Sequence, residues 1–262
     1  VSPSTEQFVR EFTMATDHPV SLTYIVPAHN STATIEGTLK ELRDRLAGTN
    51  SEVLVVENGS TDGTLDMLHK IEANWQTDGV ELRVLTSKKG LGNALRHGVA
   101  ESRGARVFFG ADDLPFGFDD LDKADKIDHH QHKMVIGSKA HPESEVGRGV
   151  LRAVLTWGFL TLRFIVLGMR TRDPQGTFAI DGDWVRSVGP RLTEEGFLLT
   201  TELTYLAERS GIKTIEVPVR LRESHGAHGS RIRISDVWKM GLGLVTVRMR
   251  HRKGARPVAS VA

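Results

Sequence analysis

Five short apolar runs rich in β-branched residues, at positions 21–26, 52–57, 81–85, 105–109 and 133–136, alternate with longer segments whose apolar residues recur every three or four positions. That alternation marks successive β-α units, so the first half of the chain is expected to form a largely parallel sheet flanked by helices. The helical segments span 32–46, 61–75 and 91–102, with Ser31 and Ser60 placed as N-caps. Right-handed crossovers then put every strand-to-helix turn on one edge of the sheet, where folds of this class bind ligands. A chain of 262 residues, 39% of them apolar, can bury the core of one large α/β domain.

Charge and residue types narrow the function. The 34 Lys and Arg stand against 33 Asp and Glu, a net charge of +1, which excludes a general binder of nucleic acid or another polyanion. Without cysteine there is no disulfide frame, thiolate metal site or thiol nucleophile, and the 11 histidines form no zinc signature. Residues 1–17 lack the continuous apolar core of a secretion signal, so the expected location is cytoplasmic, at most peripheral at the inner face of a membrane. The Asn-X-Ser sequons at Asn30 and Asn58 are then chance occurrences.

Residues 150–169 are nearly all apolar and as long as a membrane span, but Arg152 and Arg163 lie inside them. Each would cost about 2.5–3.5 kcal/mol at a bilayer centre, which argues against a simple span. On a helix, Arg148, Arg152 and Arg163 project from nearly one side, a basic ridge flanked by Leu155, Phe159, Leu162 and Val166. Residues 236–249 place Trp238, Leu242, Val245 and Met249 at helical spacing, with Arg248, Arg250, Arg252, Lys253 and Arg256 at the end. An amphipathic helix with a basic end suits an anionic membrane surface.

Chemistry belongs to the turns after the strands. The first strand runs into Pro27-Ala28-His29-Asn30, and the second into Glu57-Asn58-Gly59-Ser60-Thr61-Asp62-Gly63-Thr64. Glu57, an acid at a carboxyl strand end, can accept hydrogen bonds from a ribose or a base N–H. Lys88-Lys89-Gly90-Leu91-Gly92 opens a helix beneath two lysines, so backbone N–H groups and positive charge could face a phosphate. The fourth strand leads to Asp112-Asp113, adjacent carboxylates whose repulsion a Mg²⁺ or Mn²⁺ ion bridging to a diphosphate would relieve.

In this order the motifs resemble the family 2 glycosyltransferases, and the resemblance runs from Val20 to about Ile234. Gly137-Ser138-Lys139-Ala140-His141, Arg148, Arg152, Asp173-Pro174-Gln175-Gly176, Thr201-Glu202-Leu203 and Gly229-Ser230-Arg231 resemble its polyprenyl-phosphate branch, which includes dolichyl-phosphate glucosyltransferases and mannose synthases. The resemblance implies a GT-A fold, a Rossmann-like, mostly parallel sheet flanked by helices, with amphipathic helices in the C-terminal half. It divides the chain into an extension (1–19), a transferase domain (20–234) and an amphipathic helix with a basic tail (235–262). It also implies inverting transfer of a sugar from a nucleotide diphosphate, UDP in the glucosyl branch, to a polyprenyl phosphate.

Roles follow from the same likeness. Asp112 and Asp113 would hold Mg²⁺ or Mn²⁺, with Asp113 matching the last aspartate of the usual Asp-X-Asp. Pro27, His29, Glu57 and Lys89 would contact base, ribose or phosphate, while Arg222, Ser230 and Arg231 would close over the diphosphate. Lys139, Arg148 and Arg152 would hold the acceptor phosphate. Asp173, Gln175 and Glu202 would meet sugar hydroxyls, with Glu202 as base should the acceptor be a hydroxyl. A soluble or natural-product acceptor and a noncatalytic nucleotide-sugar binder remain the alternatives. A Rossmann dehydrogenase is disfavoured because no Gly-X-Gly-X-X-Gly follows the first strand.

Overall fold

A computed structural model describes residues 20–129, 131–144, 150–222 and 234–252. The first half alternates β1 (Val20–Ala28), α1 (Ile35–Leu46), β2 (Ser51–Glu57), α2 (Thr64–Ala73), β3 (Val80–Thr86), α3 (Leu91–Glu101) and β4 (Gly104–Phe109). After them come α4 (Asp119–Ala124), β5 (Met134–Ser138), α5 (Val150–Leu167), β6 (Thr177–Asp181) and α6 (Gly182–Val188). The last elements are α7 (Leu199–Arg209), β7 (Ile215–Pro218) and α8 (Ile234–His251).

The strands form one sheet in the order β3-β2-β1-β4-β6-β5-β7. β1 to β4 are parallel, β6 runs antiparallel between β4 and β5, and β7 is parallel to β5. The carboxyl ends of β1, β2, β4, β5 and β7 and the amino end of β6 therefore share one edge. Alternate residues of each strand point to opposite faces, which explains the two cores. Leu22, Tyr24, Val53, Val55 and Phe108 pack with Leu39 and Leu42 of α1 and Leu68 of α2. Ile25, Leu54, Val56, Val107 and Phe109 pack with Leu95 and Val99 of α3, Trp184 of α6 and Leu203 of α7. Covered on both faces, β2 is buried along its whole length, hence its unbroken apolar run.

The strands match the five expected runs to within two residues at either end, and α3 starts at Leu91 as expected, but the first two helix starts do not match. α1 begins at Ile35 and α2 at Thr64, and neither Ser31 nor Ser60 caps a helix. Ser31 gives its hydroxyl to Asp112 instead, and Ser60 Oγ accepts the N–H of Asn30. At α2 the entry residue is Gly63, whose φ of 88° a side chain would strain, so the turn continues to that point.

α5 and α8 pack against each other as an outer layer, where Leu244 and Val247 meet Leu167, Met169 and Tyr205. Here the expected basic ridge fails at Arg163. Its side chain is 1% exposed and donates from Nη2 to the carbonyls of Thr171 and Arg172, both at 3.0 Å. The exposed residues at this end of α5 are Phe164 and Ile165. A guanidinium offers a planar fork for backbone carbonyls, so it can serve as an internal strut where an apolar side chain could not. Among the described residues no helix is long and apolar enough to cross a membrane. Arg148, Ser230 and Arg231 lie outside the described residues, as do the extension 1–19, the tail beyond 252 and the side chain of Arg152.

Candidate active site

Two turns lock together at the shared edge. β1 ends at Ala28 opposite Glu57, and the Ala28 carbonyl accepts both the backbone N–H (3.0 Å) and the side-chain amide (2.8 Å) of Asn58. Asn30 Oδ1 accepts the N–H of Thr61 at 2.8 Å. Asp62 takes the N–H and hydroxyl of Thr32 on one oxygen and those of Thr64 on the other. The Thr64 hydroxyl is the main reason that the Asp62 carboxyl is held down at about 2.

Glu57 is buried and turned into its own loop, where it accepts the N–H of Ser60. Burial pushes its carboxyl up, but N–H donation from Ser60 and Gly59 outweighs that and leaves it below the usual range. It enters the site as a fixed negative charge. Pro27, half-buried, lies within β1 opposite Val56.

Gly110 follows β4 at a point where any side chain would collide with the ring of Tyr24. The chain then presents Asp112, whose carboxylate accepts the Ser31 hydroxyl and whose carbonyl accepts the Thr38 hydroxyl at 2.8 Å. Burial pushes the Asp112 carboxyl up, the Ser31 bond opposes this, and the adjacent Asp113 charge adds to the rise. His29 lies within electrostatic reach of both Glu57 and Asp112, and its Nδ1 is buried with no hydrogen-bond partner. Hard oxygen donors kept close against their own repulsion fit a divalent cation. Among the described residues no group of three metal-ligating side chains forms, so substrate phosphate oxygens would have to complete the shell.

The α3 turn departs from expectation. The Gly90 N–H goes to Asn58 Oδ1 at 3.2 Å, and the Gly92 and Asn93 N–H groups go to the Glu195 carbonyl at 2.8 and 3.2 Å. With those donors taken, the helix start is no phosphate cradle. Lys89 stays exposed on the edge, packed close against Gly59.

A second group gathers where β5 ends and β6 begins. Asp173 accepts the Lys139 N–H at 2.8 Å and the Gln175 N–H at 3.2 Å, while Lys139 Nζ reaches the Gln175 carbonyl at 3.4 Å. Glu216, to which the sequence assigns no role, fixes this loop by accepting the N–H groups of Arg172 and Asp173, both at 2.8 Å.

Arg222 and Glu202 sit otherwise than expected. The Arg222 N–H binds the Pro115 carbonyl at 2.9 Å, beside the aspartate turn, but its guanidinium forks onto Glu41 of α1 at 3.2 and 2.6 Å. Glu202 is fully buried in α7, where it accepts the N–H and hydroxyl of Thr193, the N–H of Glu194 and a contact from His251 Nε2 at 2.8 Å. Those partners use both carboxylate oxygens, so Glu202 braces the 193–195 loop against α3 and is not offered to a sugar or as a base. Thr38 and Glu41 also escape the sequence reading, which gives Ser31 only a helix cap, because their partners lie far along the chain.

Known proteins resemble this chain over most of its length. The dolichyl-phosphate beta-glucosyltransferase of Drosophila melanogaster is 29% identical across 92% of this chain and 78% of that protein. The Saccharomyces cerevisiae protein of the same name is also 29% identical, across 91% and 77%. In fold, the chain is similar to glucosyl-3-phosphoglycerate synthase from Mycobacterium tuberculosis, solved in complex with Mn²⁺, UDP and glucosyl-3-phosphoglycerate. That match has 18% identity and a TM-score of 0.59, over 88% of this chain and 80% of that one. The family described as glycosyl transferase family 2 matches residues 23–190, more than half of the sequence, and the chain belongs to that family.

Proposed function

We propose that residues 20–234 transfer a sugar from a UDP-sugar to the phosphate of a polyprenyl phosphate, with inversion at the anomeric carbon. The observation that carries this reading is the Asp112-Asp113 turn, where burial and the adjacent Asp113 charge push the Asp112 carboxyl up beside the locked turns of β1 and β2. The names of the relatives supply the acceptor class, and the Mn²⁺ and UDP bound by a protein of similar fold support the donor and metal.

In this reading Asp112 and Asp113 hold Mg²⁺ or Mn²⁺, which when bound neutralises charge on the departing diphosphate. Glu57, His29 and Lys89 orient the nucleotide, and Arg222, with Ser230 and Arg231, folds over the diphosphate once it leaves Glu41. The acceptor needs no strong base, since a phosphate monoester with a second pKa of about 6 is already anionic near neutrality. Its oxygen forms the new bond to the anomeric carbon as the bond to the diphosphate oxygen breaks. Lys139, Arg148 and Arg152 hold that phosphate, and Asp173 and Gln175 meet sugar hydroxyls. The protein works peripherally at a membrane face, in keeping with the exposed Leu242, Val245 and Met249 of α8.

Incubating the purified chain with nucleotide sugars, Mn²⁺ and a polyprenyl phosphate, followed by mass analysis, tests the reading. A glycosylated polyprenyl phosphate made from a UDP-sugar is expected. Transfer only to a soluble alcohol would overturn the acceptor, and tighter calorimetric binding of GDP than UDP would overturn the donor.

A further inference from the structure

A groove of about 660 Å³ lies between the ends of α5 and α7 and the start of β7, lined by Arg170, Arg172, Arg209 and Lys213 among others. Its Lys213 end lies away from the aspartate turn, while Arg172 and Glu216 at the other end adjoin Asp173. Lys213 precedes the amino end of β7, whereas Asp112 follows the carboxyl end of β4, and β6 and β5 stand between those two strands.

The backbone beneath the groove is clamped by charge. Glu208 accepts the N–H groups of Arg170 (3.1 Å) and Thr171 (2.9 Å) and the Thr171 hydroxyl (2.6 Å), while Glu216 accepts those of Arg172 and Asp173. From below, the buried Arg163 holds the carbonyls of Thr171 and Arg172. Both carboxylates in the groove are thus engaged by backbone, and among the described residues the exposed side chains of Arg170, Arg172 and Lys213 have no ion-pair partner. Arg209 lies over the ring of Tyr205, 5.6 Å from its centroid. Four cations face two committed carboxylates on a backbone that need not be ordered on binding, which favours capture of an anion. Guanidinium forks suit phosphate oxygens in particular.

We propose that this groove is a second anion site, which takes the phosphate of an acidic membrane lipid headgroup. The lipid source follows from what adjoins it. Phe164 and Ile165, 59% and 69% exposed, end α5 a few residues before Arg170, and Arg248 of α8 binds the neighbouring Val166 carbonyl. Apolar side chains entering the acyl boundary beside cations at headgroup level match a bilayer and would serve no purpose for a small phosphate in water. The proposal rests on the reading of a protein working at a membrane face, but on no step of sugar transfer.

The test is flotation of the whole chain, without substrates, on vesicles of phosphatidylcholine alone and of phosphatidylcholine mixed with phosphatidylglycerol. Preferential binding to the mixed vesicles is expected. The doubly substituted Arg170→Gln, Arg172→Gln chain should lose about tenfold or more of that binding with its melting temperature unchanged, and Arg209→Gln with Lys213→Gln should do the same. Phe164→Ser with Ile165→Ser should weaken binding to both vesicle types. Equal binding of wild type and Arg variants to the mixed vesicles would overturn the groove while leaving membrane contact intact. Failure to bind any vesicle would overturn both. Binding of inorganic phosphate by the wild type but not by the Arg variants, with no preference for phosphatidylglycerol, would make this a soluble-anion site and overturn the lipid assignment.

Discussion

The turn after β4 and the loop after α5 both carry or meet carboxylates, but they satisfy them in opposite ways. Along residues 170–173, Glu208 and Glu216 accept four backbone N–H groups and Arg163 binds two carbonyls, so the two carboxylates and the buried guanidinium are all spent on fixing the chain. At Asp112 the main side-chain donor is one hydroxyl, and burial and Asp113 leave the carboxyl displaced upward. A carboxylate whose oxygens are taken up by N–H donors serves as architecture, whereas one raised by burial beside a like charge favours a proton or a cation. The same contrast separates Glu202 from the aspartate pair, although both looked like chemistry in the sequence.

The sharpest way to break this contrast is to remove Asp113. If the pair is the cation-holding element, Asp113→Ala should lower kcat by more than about a hundredfold, since metal stabilisation of a leaving diphosphate contributes several kcal/mol. Its urea midpoint should change little. Wild-type stability should rise with Mn²⁺ and UDP, by about 2.7 kcal/mol at a hundred times the dissociation constant, and the variant should lose most of that gain. Full turnover of the wild type in chelator, or of the variant in Mn²⁺, would move the metal site elsewhere.

The opposite outcome is expected at Glu202. Glu202→Ala removes the fully buried acceptor shared by two N–H groups, the Thr193 hydroxyl and the buried His251, so unfolding by urea should show a loss of about 3 kcal/mol. Activity per folded molecule should fall far less than in Asp113→Ala. A variant that keeps its stability and loses turnover would restore Glu202 to the catalytic centre.

The two regions also differ in how far the sequence disclosed them. The edge turns of the first half were legible because each is a continuous motif ending a periodic strand, so Glu57, Asp112 and Asp113 could be placed before any coordinates. Asp173, Gln175 and Lys139 came from the resemblance, and they do converge. What stayed hidden were pairings across long separations, such as Ser31 with Asp112, Arg222 with Glu41 and Gly92 with Glu195. Arg163 misled for a related reason. Helical spacing tells which residues share a side, but whether that side meets solvent depends on the loop that returns beneath it.

The smallest effect is expected at Asp62, which stabilises its turn as Glu208 and Glu216 stabilise theirs, but in the open. Its carboxyl lies at about 2 in the folded chain, below the ordinary value of 3.8. Because the folded value is the lower one, the ionised group favours folding above the unfolded pKa, and that contribution is lost as pH falls through the folded value near 2. Asp62→Asn should therefore lower the melting temperature slightly and by a constant amount at neutral and mildly acidic pH. The gap to wild type should narrow as pH drops from about 4 towards 2. Melting both chains across that range separates a charge held by Thr32 and Thr64 from a turn shaped by Gly63 alone. No gap at any pH would mean that the hydrogen bonds tolerate an amide, and that the backbone, not the charge, sets the entry to α2.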